Sequence, residues 1–246
     1  MRIAAISDIH GNLAALDAVL ADVARRGVDL IVNLGDILSG PLQPAETADR
    51  LIALDLPTIR GNHERQLLTL PPDSMGASDG YAAQQLSAEH RAWLAGLPAD
   101  MRIAPDVLLC HGTPSSDLDY YLDHIDEGGS RAATAEEIEA RSGGEAAGLI
   151  LCGHTHIPRI HRRAGGGLIV NPGSVGLPAY DDDRPFPHVM EAGSPHARYA
   201  IAAQGADGRW SAKLIAVDYD WESAARLAGN RGRQDWAVAL RTGRMA

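Results

Sequence analysis

The sequence predicts an α/β fold built on parallel strands with crossover helices, closed by an antiparallel element. Two observations carry this. Short apolar, β-branched runs alternate with amphipathic segments along the N-terminal part of the chain, the pattern of βαβ units. Near the C-terminus, ARYAIAAQ (197–204) and RWSAKLIAVDYD (209–220) flank the turn-like GADG and read as an antiparallel hairpin.

In order along the chain, RIAAIS (2–7) reads as a buried strand and NLAALDAVLADVARRG (12–27) as a helix closed by Gly27. DLIVNLGD (29–36) is a second strand. PAETADRLIAL (44–54) is a second helix, with an early Pro and acidic residues near its start. LPTIRGN (56–62) is expected as a third strand. Helices are expected near 81–95 and 132–141, and strands at 106–110, 148–152 and 167–171. PAYDDDRPFPHVMEAGSPH (178–196) is rich in Pro and Asp and reads as a surface loop. A terminal helix is expected over 221–240. No repeat or separating linker is visible, so residues 1–246 are expected to form one domain.

At 45% hydrophobic and 22% charged residues, the chain has an ordinary globular composition with enough apolar residues for a large core. A net charge of −10 argues against a non-specific nucleic-acid binder, and 4% aromatic residues against a base-stacking platform. An acidic protein still handles an anionic substrate when bound cations supply positive charge. Cys110 and Cys152 each end an apolar run and read as buried small hydrophobes. MRIAAISDIH is too short in its apolar stretch for a signal peptide, and no run approaches a membrane span. A cytoplasmic location and no membrane partner are therefore expected.

The chemistry lies at the strand ends. The first strand runs into Ser7-Asp8-Ile9-His10-Gly11-Asn12, the second into Gly35-Asp36, and the third into Gly61-Asn62-His63-Glu64. The run ending at Cys110 meets His111-Gly112, and the run ending at Cys152 meets Gly153-His154-Thr155-His156. Ligand sites in open α/β sheets form beyond the carboxyl ends of the strands. Taken singly, Asp8, Asp36 and Asn62 fit helix caps or turns as well as ligands. Each histidine also fits a hydrogen-bonded structural role. The coincidence decides between the readings, because half of the ten histidines fall just after strand ends. Carboxylate, imidazole and amide donors together suit borderline divalent ions such as Mn, Fe, Co, Ni or Zn. Seven donors are too many for one tetrahedral zinc and about right for two ions.

Asp8-x-His10, Gly35-Asp36, Gly61-Asn62-His63-Glu64, His111 and Gly153-His154-x-His156 follow the order found in the calcineurin-like metallophosphoesterases, which the sequence resembles. NPGSVG (171–176) is similar to the small bacterial members. The resemblance implies a four-layer α/β/β/α sandwich, two mixed β-sheets flanked by helices. It implies two divalent transition-metal ions, with manganese the first choice. Asp8, His10, Asp36 and His156 would hold one ion; Asp36, Asn62, His111 and His154 would hold the other. His63 would stay off the metals and donate a proton or hydrogen bond to the leaving-group oxygen. Between two such ions, a water of lowered pKa would attack phosphorus. Asn12 fits a phosphate contact and a helix N-cap equally well.

Two features depart from better-known branches. Gly35-Asp36-Ile37-Leu38-Ser39-Gly40 lacks the phosphate-gripping arginine that follows this aspartate in eukaryotic-type serine/threonine phosphatases, and the 181–196 loop is longer than in a minimal bacterial member. The expected activity is a phosphodiesterase or phosphatase acting on small phosphoesters or nucleotides. A protein serine/threonine phosphatase or dinucleoside polyphosphatase is the alternative enzyme reading. A non-catalytic scaffold, like the retromer subunit of similar fold, is the alternative of another class. The full set of seven ligand positions and His63 argues against the scaffold, and the acidic balance against long nucleic acid.

Overall fold

The computed structural model describes residues 1–246. Strand β1 (Arg2–Ile6), helix α1 (Leu13–Ala24) and strand β2 (Leu30–Asn33) form a parallel βαβ unit, with Ile3 opposite Leu30. Helix α2 (Pro44–Leu54) carries Pro44 at its start, where the missing N–H is not needed. Helices α3 (Asn62–Thr69), α4 (Ala77–Gln85) and α5 (Ala88–Gly96) follow. The middle of the chain holds β3 (Met101–Ala104), β4 (Val107–Leu109), the hairpin β5 (Asp123–Asp126) and β6 (Gly129–Ala132), and helix α6 (Ala135–Ser142). Next come β7 (Leu149–Leu151), β8 (Arg159–Arg162) and β9 (Leu168–Asn171), then the hairpin β10 (Ala179–Asp182) and β11 (His188–Glu191). The long pair β12 (Ala197–Gln204) and β13 (Trp210–Val217) leads into α7 (Trp221–Asn230) and α8 (Gln234–Thr242).

One sheet has the order β13-β12-β1-β2 and the other β3-β4-β7-β9-β8. Both are mixed: β12 runs antiparallel to β1, while β4, β7 and β9 are parallel with antiparallel β3 and β8 at the edges. The two-residue period of each strand makes the layers. Ile3 and Ala5 of β1 join Val107, Leu109, Leu149, Leu151, Leu168 and Val170 in one buried core between the sheets. The alternate residues Ala4 and Ile6 face the other way and pack with Leu16 and Val19 of α1 and Leu51 of α2. On the far sheet, Leu108, Ile150 and Ile169 pack with Ile138 of α6. The order is therefore helices, sheet, sheet, helix. Leu151→Ala, in the layer between the sheets, would cost about 2–5 kcal/mol.

Several elements differ from the sequence expectation. Residues 56–62 add only one parallel bridge, Thr58 to Asn33. Pro57 offers no N–H, the Arg60 N–H goes to the Pro98 carbonyl instead, and α3 begins at Asn62. The helix expected over 81–95 is two helices, because the Ser87 hydroxyl caps α5 by accepting from His90 N–H at 3.2 Å. The helix expected over 221–240 breaks at Gly232, whose φ of +79° suits glycine. The stretch 178–196 is not all loop: Ala179, His188 and Met190 are buried in the β10–β11 hairpin, and the Pro- and Asp-rich residues form its turn. Cys110 and Cys152 are free and buried. No helix is long and apolar enough to cross a membrane.

Candidate metal centre

The loops beyond β1, β2, β4 and β7 and the start of α3 meet on one rim. The Asp8 N–H donates to the Gly35 carbonyl at 3.0 Å, His10 N–H to Asp36 O at 3.1 Å, and Gly153 N–H to His111 O at 2.7 Å. These bonds lock the loop after β1 to the loop after β2, and the loop after β4 to the loop after β7. The backbone is bent hard here. Asp8, His10, Asp36, His154 and His156 all have φ between 51° and 70°, a region non-glycine residues seldom enter. Only Asp55, at the end of α2, shares this feature among non-glycine residues. Such strain persists where surrounding structure enforces it and marks sites of function. Gly61 is needed for a different reason: a Cβ there would run into the Asp36 carboxylate and lie 2.6 Å from the Asp36 nitrogen.

Two groups of donors result, Asp8–His10–His156 and Asp36–His111–His154, with the ligating atoms of each group within 4.8 Å of one another. In the first, the Nε2 atoms of His10 and His156 are 3.1 Å apart, and His156 Nε2 is 3.6 Å from Asp8 Oδ1. Both rings have Nδ1 at 2.7 Å from a backbone carbonyl, Ser39 for His10 and Leu177 for His156. Nδ1 therefore carries the proton and donates it, which leaves two bare Nε2 lone pairs facing each other beside a carboxylate. Asp8 Oδ2 is buried without a hydrogen-bond partner. That arrangement fits a cation and little else.

In the second group, His111 Nε2 lies 3.0 Å from Asp36 Oδ2 and 3.2 Å from Asn62 Oδ1, while its Nδ1 donates to Leu34 O at 2.8 Å. His154 is turned the other way. Its Nε2 sits 3.0 Å from the Leu118 carbonyl, so Nδ1 is the atom free to ligate.

The electrostatics divide the donors: burial would lower the His111 pKa, but Asp36 outweighs it and lifts the value to about 10, while three other rings are held down. Burial lowers the pKa of His10 to about 4 and of His154 to about 3, and it holds His156 well below its ordinary value. All three rings are neutral at pH 7, the form a metal requires. Burial, opposed by His111 and reinforced by Asp36, pushes the Asp8 carboxyl up to about 7. Burial also acts against Asp36, but His111, His63 and His10 hold it well below the carboxylate range.

His63 belongs to neither group. Its N–H donates to Asp36 Oδ1 at 3.0 Å, and its Nδ1 is 2.8 Å from Asp79 Oδ1. Sequence reasoning missed Asp79, because α4 brings it across from a segment with no motif. It also gave Glu64 no role. The Glu64 carboxylate is fully buried and accepts from the N–H groups of Asp36, Ile37 and Gly61 at 2.8–2.9 Å. It braces the loop that carries Asp36. Asn12 is spent elsewhere: its Oδ1 caps α1 at Ala15 N, and its Nδ2 donates to Gly176 O and the Tyr219 hydroxyl. It does not line the cleft. Of the remaining histidines, His90 pairs with Asp49 and His196 with Asp218, while His188 meets the Tyr120 hydroxyl at 3.0 Å.

The donor groups open into a cleft of about 990 Å³, whose walls include Tyr120, Tyr180, Arg233 and Trp236.

Comparison with known proteins agrees with this geometry. The model of the calcineurin-like phosphoesterase superfamily domain matches residues 1–190. An uncharacterized protein of Methanocaldococcus jannaschii is 30% identical over 203 residues, 72% of this chain and 76% of that one. The crystal structure of a metallophosphoesterase from Sphaerobacter thermophilus superposes with a TM-score of 0.76 at 26% identity, covering 99% of both chains. With the strand-end motifs gathered on one rim of a two-sheet sandwich, the chain belongs to the calcineurin-like phosphoesterase superfamily, and it is a phosphoester hydrolase.

Proposed function

We propose that the protein is a dinuclear metal-dependent hydrolase of small phosphoesters or nucleotides, active as a phosphodiesterase or phosphatase. The observation that carries this is the pair of adjacent donor groups, one of which turns two bare imidazole nitrogens toward each other beside an unpartnered carboxylate oxygen. Asp8, His10, Asp36 and His156 are assigned to one ion, and Asp36, Asn62, His111 and His154 to the other, with Asp36 shared. The mixed nitrogen and oxygen donors suit manganese, and also iron, zinc, nickel or cobalt.

Ions held there would supply charge neutralisation for phosphoryl oxygens and would acidify a water for attack on phosphorus. The residues of the chain do the rest. Asp79 orients the His63 ring by accepting from Nδ1, so that Nε2 is the atom left to donate to the leaving oxygen. Glu64 fixes the Asp36 loop. The cleft has room for a nucleotide, and six aspartates against three arginines on its walls disfavour a long polyanion.

The test is a panel of phosphomonoesters, phosphodiesters and nucleotides with purified protein, each assayed with manganese, iron, zinc, nickel or cobalt added and with chelator. Turnover that needs metal and vanishes with chelator is expected. No turnover with any metal would end the proposal.

A further inference from the structure

The family match stops at residue 190, yet the chain beyond it forms part of the wall of the cleft. Gly40 lies in the loop that follows Asp36, and a Cβ there would meet Trp236 Cη2 at 2.7 Å. The indole of α8 thus takes the room a side chain at 40 would need, and its ring stands edge-on 6.0 Å from that of His10. Arg231 pins this end of the chain down. Its guanidinium donates to the carbonyls of Pro41 and Leu42 and lies over the Tyr81 ring at 4.8 Å.

Arg233 follows two residues later and faces the cleft. Asp235 holds its guanidinium side-on, with Nε at 3.0 Å from Oδ1 and Nη2 at 2.6 Å from Oδ2. Nη1 donates to the Ser78 hydroxyl at 2.8 Å. Two of its five N–H groups stay unused. Its neighbours tie it to the site from two sides, because Ser78 precedes Asp79, the partner of His63, and Trp236 packs against His10. The other cleft arginines are placed differently. Arg141 is spent on the carbonyls of Tyr121 and Asp123 and on His124 Nδ1, and Arg184 is exposed in the β10–β11 turn.

We propose that Arg233, delivered by the C-terminal helix, grips the phosphoryl group of the substrate. Position 40 of the Asp36 loop is a glycine with Trp236 packed against it, and Arg233 at the start of α8 is the cation that lines this part of the cleft. A planar fork held on one side by a carboxylate and a hydroxyl keeps its remaining N–H groups ready for a phosphoryl oxygen. This inference rests on the phosphoester-hydrolase reading of the site.

The experiment uses the full chain with manganese, p-nitrophenyl phosphate and bis-p-nitrophenyl phosphate as substrates, and inorganic phosphate as inhibitor. Arg233→Gln removes the charge and the guanidinium fork and leaves a shorter, neutral amide. It should raise KM and the phosphate inhibition constant by about 10- to 100-fold, the worth of a charged hydrogen bond. Its kcat should change less than about three-fold, since an interaction made equally in the ground and transition states is lost. Arg233→Lys should recover part of the binding, and metal content should equal that of wild type in both variants. Wild-type binding of phosphate by Arg233→Gln, with wild-type turnover intact, would overturn the proposal alone. If wild type itself hydrolysed neither ester, the hydrolase reading would fall, and this inference with it.

Discussion

Asp79 Oδ1 stands 2.8 Å from His63 Nδ1, and this contact decides which nitrogen of His63 can work on a substrate. With Nδ1–H committed to a carboxylate, only Nε2 is left for the cleft. His63→Ala should lower kcat by about 10²–10⁴-fold, the usual worth of general acid–base catalysis. Metal content should not change. Loss of both ions in this variant would make His63 a ligand and void the role given to it.

Asp79→Asn tests the same contact through pH. Burial would lower the His63 pKa, but the Asp36 charge and the hydrogen bond and charge of Asp79 outweigh it and lift the value to about 9. A proton donor works below its pKa, so a raised pKa extends activity to higher pH. Removing the Asp79 charge should therefore move the alkaline limb of the kcat profile to lower pH while leaving the acid side in place. An unmoved limb would show that Asp79 only fills space.

Glu64→Ala would strand the N–H groups of Asp36, Ile37 and Gly61 in a buried place. Each unsatisfied group costs about 1–3 kcal/mol, so a large fall in Tm is expected. Because the stranded groups belong to the loop that presents Asp36, metal content should fall as well. Glu64→Gln, which keeps one acceptor, should lie between. A Glu64→Ala protein with wild-type Tm and metal would mean that the loop holds itself.

Asp36→Asn should reduce metal at both sites, since one carboxylate is assigned to two cations and its charge keeps them close. Elemental analysis beside anomalous scattering checks this. Full occupancy of either site in the variant would remove Asp36 from the shared position.

The sequence made the rim legible because its signals are local. A glycine or aspartate just past an apolar run reads directly as a turn beyond a strand, so the positions of Asp8, Asp36, His111, His154 and His156 were visible. The strands β4, β7 and β9 and the closing hairpin of β12 and β13 were visible for the same reason, while the parallel order of β4, β7 and β9 was not. Pro57 in an apolar run hid the fact that residues 56–62 pair only at Thr58. Short edge strands such as β3 and β8 have exposed, charged faces and leave little periodic trace. Asp79 and Arg233 were out of reach altogether. Asp79 sits on α4 and Arg233 just before α8, in segments without a motif, and each reaches the site only by tertiary packing.

His154 and His156 lie two residues apart, and the structure turns them to opposite uses of the ring. His156 gives its Nδ1 proton to the Leu177 carbonyl and aims Nε2 at His10 and Asp8. His154 engages the Leu118 carbonyl through Nε2, which leaves Nδ1 on the side of Asp36 and His111. Their losses should therefore differ in kind. His156→Ala should weaken the site shared with Asp8 and His10, while His154→Ala should weaken the one shared with Asn62 and His111. Each remaining site keeps its other donors, so partial occupancy is expected and not unfolding, since both residues lie on a loop beyond β7. A sharper test follows from the ring nitrogens. A glutamine amide can imitate one ring nitrogen as a ligand but not the reversed geometry of His154, so His156→Gln should retain more metal than His154→Gln. Crystals of these variants, measured on both sides of the metal absorption edge, read the two sites separately. Equal loss at both sites from either substitution, or none from both, would defeat the two-ion assignment.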